Sequence, residues 1–349
     1  MTGSLSIALD AMGGDRAPEM VVKGANIARQ RFPDVRFVFF GDEGRVKPLL
    51  DRHAALRKVS SIVHTDKVVA GDDKPSVALR AGRGSSMRLA IDAVHSGSAA
   101  GVVSAGNTGA LMAMSKFVLK TLPGIDRPAI ASFFPTLRGE SVMLDLGANL
   151  SCDADNLVQF AVMGHVFART VLGILRPTVG LLNVGSEEVK GHEAVREAFA
   201  LLRATSLPGE FHGFVEGDDI ARGTVDVVVT DGFTGNVALK TLEGTAKLYA
   251  EFLKRSFKSS LIARLGYLLA RPALNALRVR TDPRRYNGAI FLGLNGVAVK
   301  SHGGTDALGF ANAIGVAVDM VTQESLDKIR EDFARYLAGT VADAPAVAL

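Results

Sequence analysis

Val102-Val103-Ser104-Ala105-Gly106-Asn107-Thr108-Gly109 and Val228-Val229-Thr230-Asp231-Gly232-Phe233-Thr234-Gly235 are two forms of one phrase. Each reads as a β-branched run, a glycine-bounded loop and the start of a helical pattern. A strand that passes through such a loop into a helix is the unit of a parallel sheet, and the loop aims backbone N–H groups and a helix dipole at an anion. Two copies point to an α/β fold and to one cleft that holds phosphate.

The same rhythm extends outward. Strands are expected at Leu5 to Asp10, Phe37 to Phe40, Ser61 to His64, Gly101 to Ser104, Ile130 to Phe134, Val142 to Leu146, Val179 to Val184, Val225 to Thr230 and Val297 to Lys300, with helices between them. Pro18 to Arg31 and Asp155 to Leu175 carry apolar residues at helical spacing. No long Gly/Ser spacer divides the chain, so residues 1–338 read as a single α/β unit with a mainly parallel sheet. Gly339 to Leu349 is small and unpatterned, and is expected to be a frayed tail.

With 349 residues, 48% of them apolar, the chain can bury a large core. Nothing reads as an export leader, and no uninterrupted apolar run reaches about 18 residues, so the cytoplasm is the expected compartment. Cys152 is the single cysteine and has no neighbour at a metal-ligand spacing. His53, His64, His95, His165 and His212 make no metal or catalytic pattern either.

Charge is unevenly spread. Gly244 to Arg285 holds ten basic residues against Glu251 and Asp282, a net +8 that leaves the remainder at −4. An acidic partner or an anionic surface is therefore expected for one segment, and no nucleic acid. Within residues 245–285, Phe257, Leu261, Ile262, Leu265, Leu268 and Leu269 share one helical arc, with Arg264 and Arg271 at its edge, until Pro272 interrupts the pattern. Two readings stand: a helix packed on the core or at a dimer interface, or a surface helix or helical hairpin whose leucines enter lipid. In the second reading Lys254, Arg255, Lys258, Arg264 and Arg271 meet phosphates around Leu265 and Leu268.

Five strand ends carry candidate chemistry. Asp10-Ala11-Met12-Gly13-Gly14-Asp15 ends the first strand, and Gly13 and Gly14 let the backbone approach a ligand. Gly106, Asn107, Thr108 and Gly109 supply backbone and side-chain donors, although Thr108 also suits an N-cap. The second copy adds Gly232, Thr234, Gly235, Asn236 and, one turn on, Lys240. Between the copies, Asn183 to His192 offers the cation Lys190 and the proton carrier His192, and the last strand runs into Lys300-Ser301-His302-Gly303-Gly304-Thr305-Asp306.

Taken in order, DAMGGD, SAGNTGALMA, DLGAN (Asp145 to Asn149), NVGSEEVKG, DGFTGNVALKTLEG and YNGAIFLGLNGVAVKSHGG resemble the phosphate acyltransferases of the acyl-ACP:phosphate type, the PlsX family, over roughly Ile7 to Val318. The resemblance implies transfer of a fatty acyl group from acyl carrier protein to inorganic phosphate, giving acyl phosphate for phospholipid synthesis and for a downstream acyl-phosphate-using acyltransferase. It also implies no cofactor, a homodimer, loose attachment to the inner face of the cytoplasmic membrane, and a three-layer α/β/α fold similar to isocitrate and isopropylmalate dehydrogenases. Arg16-Ala17 before Pro18, Ser186 and His192 depart from the family pattern, so no essential role is expected of those side chains.

Phosphate is already a nucleophile and a thioester a reactive donor, so the chemistry asks mainly for positioning and for donors at the developing oxyanion. Direct attack is expected, with phosphate in the Asn107 and Asn236 loops, assisted by Lys190. Asn107, Asn236 or His302 would polarise the carbonyl, and His302 would assist the leaving thiolate. Cys152 is the one thiol that an acyl-enzyme route could use. A short-chain phosphotransacylase using acyl-CoA and a non-catalytic phosphate- or membrane-binding scaffold are the competing classes. A decarboxylating dehydrogenase would share the fold, but neither GxGxxG nor an Asp cluster supports it.

Overall fold

Alternate residues of each central strand turn to opposite faces, and the buried ones sort into two cores. Ile7, Leu9, Val103, Val142, Leu144, Val227, Val229, Val297 and Val299 belong to one, and Ala8, Val102, Met143, Val228 and Ala298 to the other. A sheet buried on both faces needs helices on both, which gives the three layers expected. The computed structural model describes residues 5–204 and 209–342, the side chains of 336–342 excepted. Of the expected tail, 343–349 lie outside the described residues.

Eleven strands among the described residues form the sheet: β1 (Ser6–Asp10), β2 (Arg36–Gly41), β3 (Ser60–His64), β4 (Gly101–Ser104), β5 (Ala129–Pro135), β6 (Glu140–Leu144), β7 (Thr178–Leu182), β8 (Glu210–Val215), β9 (Val227–Val229), β10 (Ala289–Leu292) and β11 (Val297–Lys300). Their order is β3-β2-β1-β4-β11-β10-β5-β6-β9-β7-β8. The helices are α1 (Glu19–Arg31), α2 (Glu43–Leu50), α3 (Ala54–Arg57), α4 (Pro75–Ala81), α5 (Ser86–His95), α6 (Thr108–Leu119), α7 (Ala154–Val171), α8 (Glu193–Ala204), α9 (Gly217–Arg222), α10 (Gly232–Lys258), α11 (Leu261–Arg280), α12 (Ala307–Thr322) and α13 (Ser325–Ala342). Helices α1, α7, α8 and α12 contribute to the first core, and α5 and α6 to the second.

Strands β1 to β4 and β11 run parallel. Strand β10 is antiparallel to β11 and to β5, and β5 is antiparallel to β6, after which β6, β9, β7 and β8 are again parallel. Three successive reversals leave the two parallel groups pointing opposite ways. The loop after β4 and the loop after β9, the two copies of the repeated phrase, thus leave the sheet at opposite edges.

Two strands escape the sequence pattern: β8 contains Gly213 and a register shift opposite Val179/Gly180, and β10 is only four residues long. Strand β6 ends at Leu144, two residues before the expected end, because the Asp145 carboxylate turns the chain there. Strand β9 is shortened to Val227–Val229. Pro272 does not interrupt its segment, and α11 runs through it. The helix buries no residue, so the carbonyl that proline leaves unpaired can bond to water. The break falls instead at Ser260, whose hydroxyl caps Ala263 N–H at 3.0 Å, and the Phe257 and Tyr267 rings meet across the turn at 5.4 Å.

Helix α10 starts against the loop after β6. Gly232 N–H donates to the Asn149 carbonyl at 2.8 Å, and a side chain at Gly235 would overlap the Asp145 carbonyl. Gly244, further along α10, faces open space. Gly235→Ala should cost about 3 kcal/mol or more in urea unfolding, whereas Gly244→Ala should stabilise by roughly 0.5–1 kcal/mol. Equal effects would mean that the start of α10 is not seated as described.

Candidate active site

At the edge formed by the carboxyl ends of β1, β4 and β11, the chain is organised around Asp10. This carboxylate is buried; one oxygen accepts from Ser86 Oγ at 2.7 Å and Met12 N–H at 3.3 Å, the other from Ser104 Oγ at 2.6 Å. Ser104 Oγ accepts in turn from Gly106 N–H at 3.0 Å, so β1 and β4 share one polar chain that reaches the first phosphate loop. Gly13 is a necessity of packing, since a methyl there would strike both the Asp10 carboxylate and Gly106 N. Gly14 has φ +101° and lies against the Gly303 carbonyl, which also accepts from Asp15 N–H at 3.0 Å.

His302 joins this group. Its N–H donates to Asn287 Oδ1 at 2.8 Å and its Nδ1 accepts from Gly304 N–H at 3.1 Å, leaving Nε2 of the exposed ring without a partner among the described residues. Asn107 is placed differently from expectation. Its Oδ1 caps Ala110 N–H at 2.9 Å and its Nδ2 donates to the Gly71 and Asp73 carbonyls, both at 2.9 Å. Both amide hydrogens are therefore engaged in pinning the segment before α4, and none is spare for a substrate carbonyl. Gly109 packs on Pro75, while Thr108 is exposed and the Thr108 and Gly109 N–H groups have no partner among the described residues.

At the opposite edge the second copy is organised around Asp145. One oxygen accepts from the N–H groups of Ile130 (2.9 Å), Ala148 (3.0 Å) and Gly147 (3.2 Å), and the other from Asn149 N–H (2.7 Å) and Nδ2 (2.9 Å). Asp231 caps α10, accepting from Thr234 N–H at 2.9 Å and from its hydroxyl at 2.7 Å. Gly232, Thr234 and Gly235 are therefore committed to seating and capping the helix. Asn236 is exposed beside Gly147, with no hydrogen-bond partner among the described residues. Lys190 is exposed on the loop after β7, its Nζ 3.7 Å from Glu187, and Lys240 is bound to Glu243 at 2.9 Å.

The candidates thus form two groups, Gly13, Gly14, Gly106, Thr108, Gly109, Asn107 and His302 in one, Lys190, Gly232, Thr234, Gly235 and Asn236 in the other. Among the described residues no hydrogen bond or ion pair joins them. Cavities of about 320 and 540 Å³ lie elsewhere, one lined by Thr136, Arg138 and Asp226, the other by Asp153, Asp155 and Glu197. Among the described residues no group of three or more His, Cys, Asp or Glu is placed to hold a metal ion.

Three residues were not singled out from sequence. Lys300 ends β11 half-buried, its ammonium donating to the Ser301 carbonyl; loss of hydration pushes its pKa down to about 8, against the opposite pull of Asp10 and Asp15. Only the side-chain alternation of a three-strand edge reveals this, because in sequence Lys300 reads as a strand terminus. Asn149, in DLGAN, bridges Asp145 to the Pro128 carbonyl at 2.8 Å. Arg127 is exposed and its charge reaches Cys152. Burial, then the Asp145 and Asp231 charges, push the Cys152 thiol up to about 12. Asp10 and Asp145 are both raised by burial, against the hydrogen bonds they accept.

The family described as "Fatty acid synthesis protein" matches residues 5–328. A protein of Rhodospirillum centenum named Phosphate acyltransferase is 73% identical over 344 residues, covering 99% of this chain and 97% of its own length. Its namesake in Rhodospirillum rubrum is 64% identical over 349 residues, covering 99% and 100%. Among solved structures, the EutD phosphotransacetylase from Staphylococcus aureus aligns with TM-score 0.59 at 17% identity, covering 93% of this chain and 94% of that one. A putative 4-hydroxythreonine-4-phosphate dehydrogenase from Salmonella typhimurium aligns with TM-score 0.55 at 13% identity, covering 92% and 100%. These two share the fold. By the first three matches, the chain belongs to the fatty acid synthesis protein family, together with the phosphate acyltransferases.

Lys300 gives a signed prediction. Below pH about 8 the lysine is protonated folded and unfolded, and folding bears the whole penalty of burying its charge. Between about 8 and 10.5 the folded protein has released that proton while the unfolded chain keeps it, so stability rises with pH. Urea unfolding at both ends of this window should show the wild type gaining about 3 kcal/mol relative to Lys300→Met. A constant difference would show that the ammonium is not buried.

Proposed function

We propose that this member of the fatty acid synthesis protein family is a phosphate acyltransferase that moves a fatty acyl group from acyl carrier protein to inorganic phosphate. Identity of 73% across essentially the whole chain to a protein named Phosphate acyltransferase carries this reading. The geometry at the edge of β6, β9 and β7 supports a division of roles there. Asn236 holds a side-chain amide that nothing in the described protein uses, and Lys190 and Arg127 are exposed cations near loops of the same edge.

In this reading Lys190, with Arg127, binds the phosphate, and Asn236 donates to the thioester carbonyl oxygen as negative charge develops on it. A phosphate oxygen forms the new bond to the carbonyl carbon, the carbon–sulfur bond breaks, and its electron pair leaves on the pantetheine sulfur. The Cys152 thiol, protonated at neutral pH, supports direct attack over an acyl-enzyme. Gly106, Thr108 and Gly109, with Gly13, Gly14 and His302, are a second anion cradle in this proposal, supported by the free N–H groups at the start of α6.

The α10–α11 hairpin suits the two remaining partners. Leu261, Ile262, Leu265, Leu268 and Leu269 are exposed on α11 beside Arg264 and Arg271, with Lys254, Arg255 and Lys258 ahead of the turn. No helix among the described residues is long and apolar enough to cross a membrane. An interfacial hairpin resting on anionic lipid accounts for the leucines and the cations together. The same cations would speed encounter with acidic acyl carrier protein. A second copy of the chain is proposed to cover the exposed face of α10 that bears Leu248, Tyr249, Phe252 and Leu253.

Mixing the protein with acyl-ACP and phosphate should yield acyl phosphate, with acyl-CoA a poorer donor. Asn236→Ala should lower kcat by one to three orders of magnitude, and Cys152→Ser should leave it within about twofold of the wild type because that thiol forms no bond in direct attack. Absence of acyl phosphate would end the assignment. Replacing Leu265 and Leu268 with Glu should release the protein from anionic liposomes while soluble turnover persists. Retained liposome binding would exclude the hairpin as the anchor.

A further inference from the structure

Burial ordinarily claims large apolar side chains, yet five of them stand in solvent on the loops that present Asn236 and Lys190. Leu150 follows the Asp145 loop, Val184 and Val189 flank the turn after β7, and Phe233 and Val237 lie on the first turns of α10; they are 49% to 77% exposed. Isolated exposed apolar residues need no explanation, but a group around a polar centre does.

The sheet places them side by side. Leu144 of β6 pairs with Val229 of β9, and Val229 with Leu181 of β7, so the three loops leave one edge from adjacent parallel strands. The bond from Gly232 N–H to the Asn149 carbonyl then brings the start of α10, which carries Phe233, against the loop that carries Leu150. On α10, Val237 is four residues beyond Phe233 and shares its face. Neither of the two cavities described above is lined by any of the five.

A ligand for such a place must be apolar at its flank and polar at its head. We propose that these five residues form an open rest for the acyl chain of the thioester donor, so that they, rather than a closed pocket, set the preference for long chains. The inference rests on the phosphate acyltransferase reading. The carbons next to the carbonyl that Asn236 engages have to lie close to it, and Phe233, one helical turn before Asn236, and Val237, next to it in the chain, are its neighbours on α10. Continuity with that centre selects an acyl chain over a second copy of this protein as the occupant. An open rest also places no limit on chain length, and its preference grows with each methylene covered.

The test compares palmitoyl-ACP with octanoyl-ACP at saturating phosphate, for the wild type, Phe233→Ser and Val189→Ser. All of these substitutions fall at exposed positions. The ratio of kcat/KM for the longer to the shorter donor should fall roughly tenfold in Phe233→Ser and several-fold in Val189→Ser, with KM for phosphate unchanged. An unchanged ratio, or equal losses with both donors, overturns the proposal. Equal losses accompanied by a smaller species in sedimentation would instead assign the patch to a subunit interface. A wild type that transfers neither acyl group would overturn the functional reading itself, a result distinct from any change in ratio.

Discussion

Two buried carboxylates hold the two edges of this protein in shape. Asp10 is the last residue of β1 and Asp145 follows the last residue of β6, and each spends its oxygens on groups around it: Ser86, Ser104 and Met12 in one case, Ile130, Gly147, Ala148 and Asn149 in the other. Burying such a group is costly unless its lone pairs are satisfied. At both sites burial remains the larger influence on the pKa, so the hydrogen bonds reduce the cost without cancelling it. What is gained is backbone position. Gly13 closes over Asp10, and Gly232 over Asp145, because a side chain at either would strike the carboxylate and a backbone atom beside it.

This shared logic explains why the repeated phrase was readable and why its meaning was only half readable. The strand-loop-helix rhythm follows from local residue types, and β4 and β11 have the ends the sequence predicts. Strand direction is not local. It depends on three reversals through β10 and the β5–β6 hairpin, and β10 is too short to announce itself by periodicity. Two similar loops were therefore legible, but not that they leave opposite edges. Side-chain commitment is equally non-local: nothing in the sequence near Asn107 says that its amide will meet the carbonyls of Gly71 and Asp73. Lys300 was hidden because the carboxylates that act on it come from β1 and the loop beyond.

The hairpin shows the opposite case, in which sequence alone carried most of the information. Its cations and leucines are patterned over consecutive turns, and tertiary packing overrides nothing, since α11 buries no residue. Proline in such a helix loses one hydrogen bond whose acceptor water can satisfy, and local propensity against it is a weak guide there. A core-packed helix is excluded for α11 within one chain. The apolar stripe of α11 lies instead on the surface of the chain.

The two helix starts differ in the charge of their caps, and this separates what each edge can bind. Helix α6 is capped by the neutral Asn107, so its N-terminal dipole is not offset by its own cap. Helix α10 is capped by Asp231, whose carboxylate already occupies Thr234 N–H and opposes any second anion. A phosphate at the α10 edge therefore depends on side-chain cations such as Lys190 and Arg127 to outweigh that carboxylate, whereas one at the α6 edge depends on backbone N–H groups. Backbone donors hold an anion in place through a reaction, while a cation on an exposed loop can release it. The transfer proposed for the α10 edge, in which phosphate passes to an acyl group and the product must leave, is better served by exposed cations than by a backbone cradle.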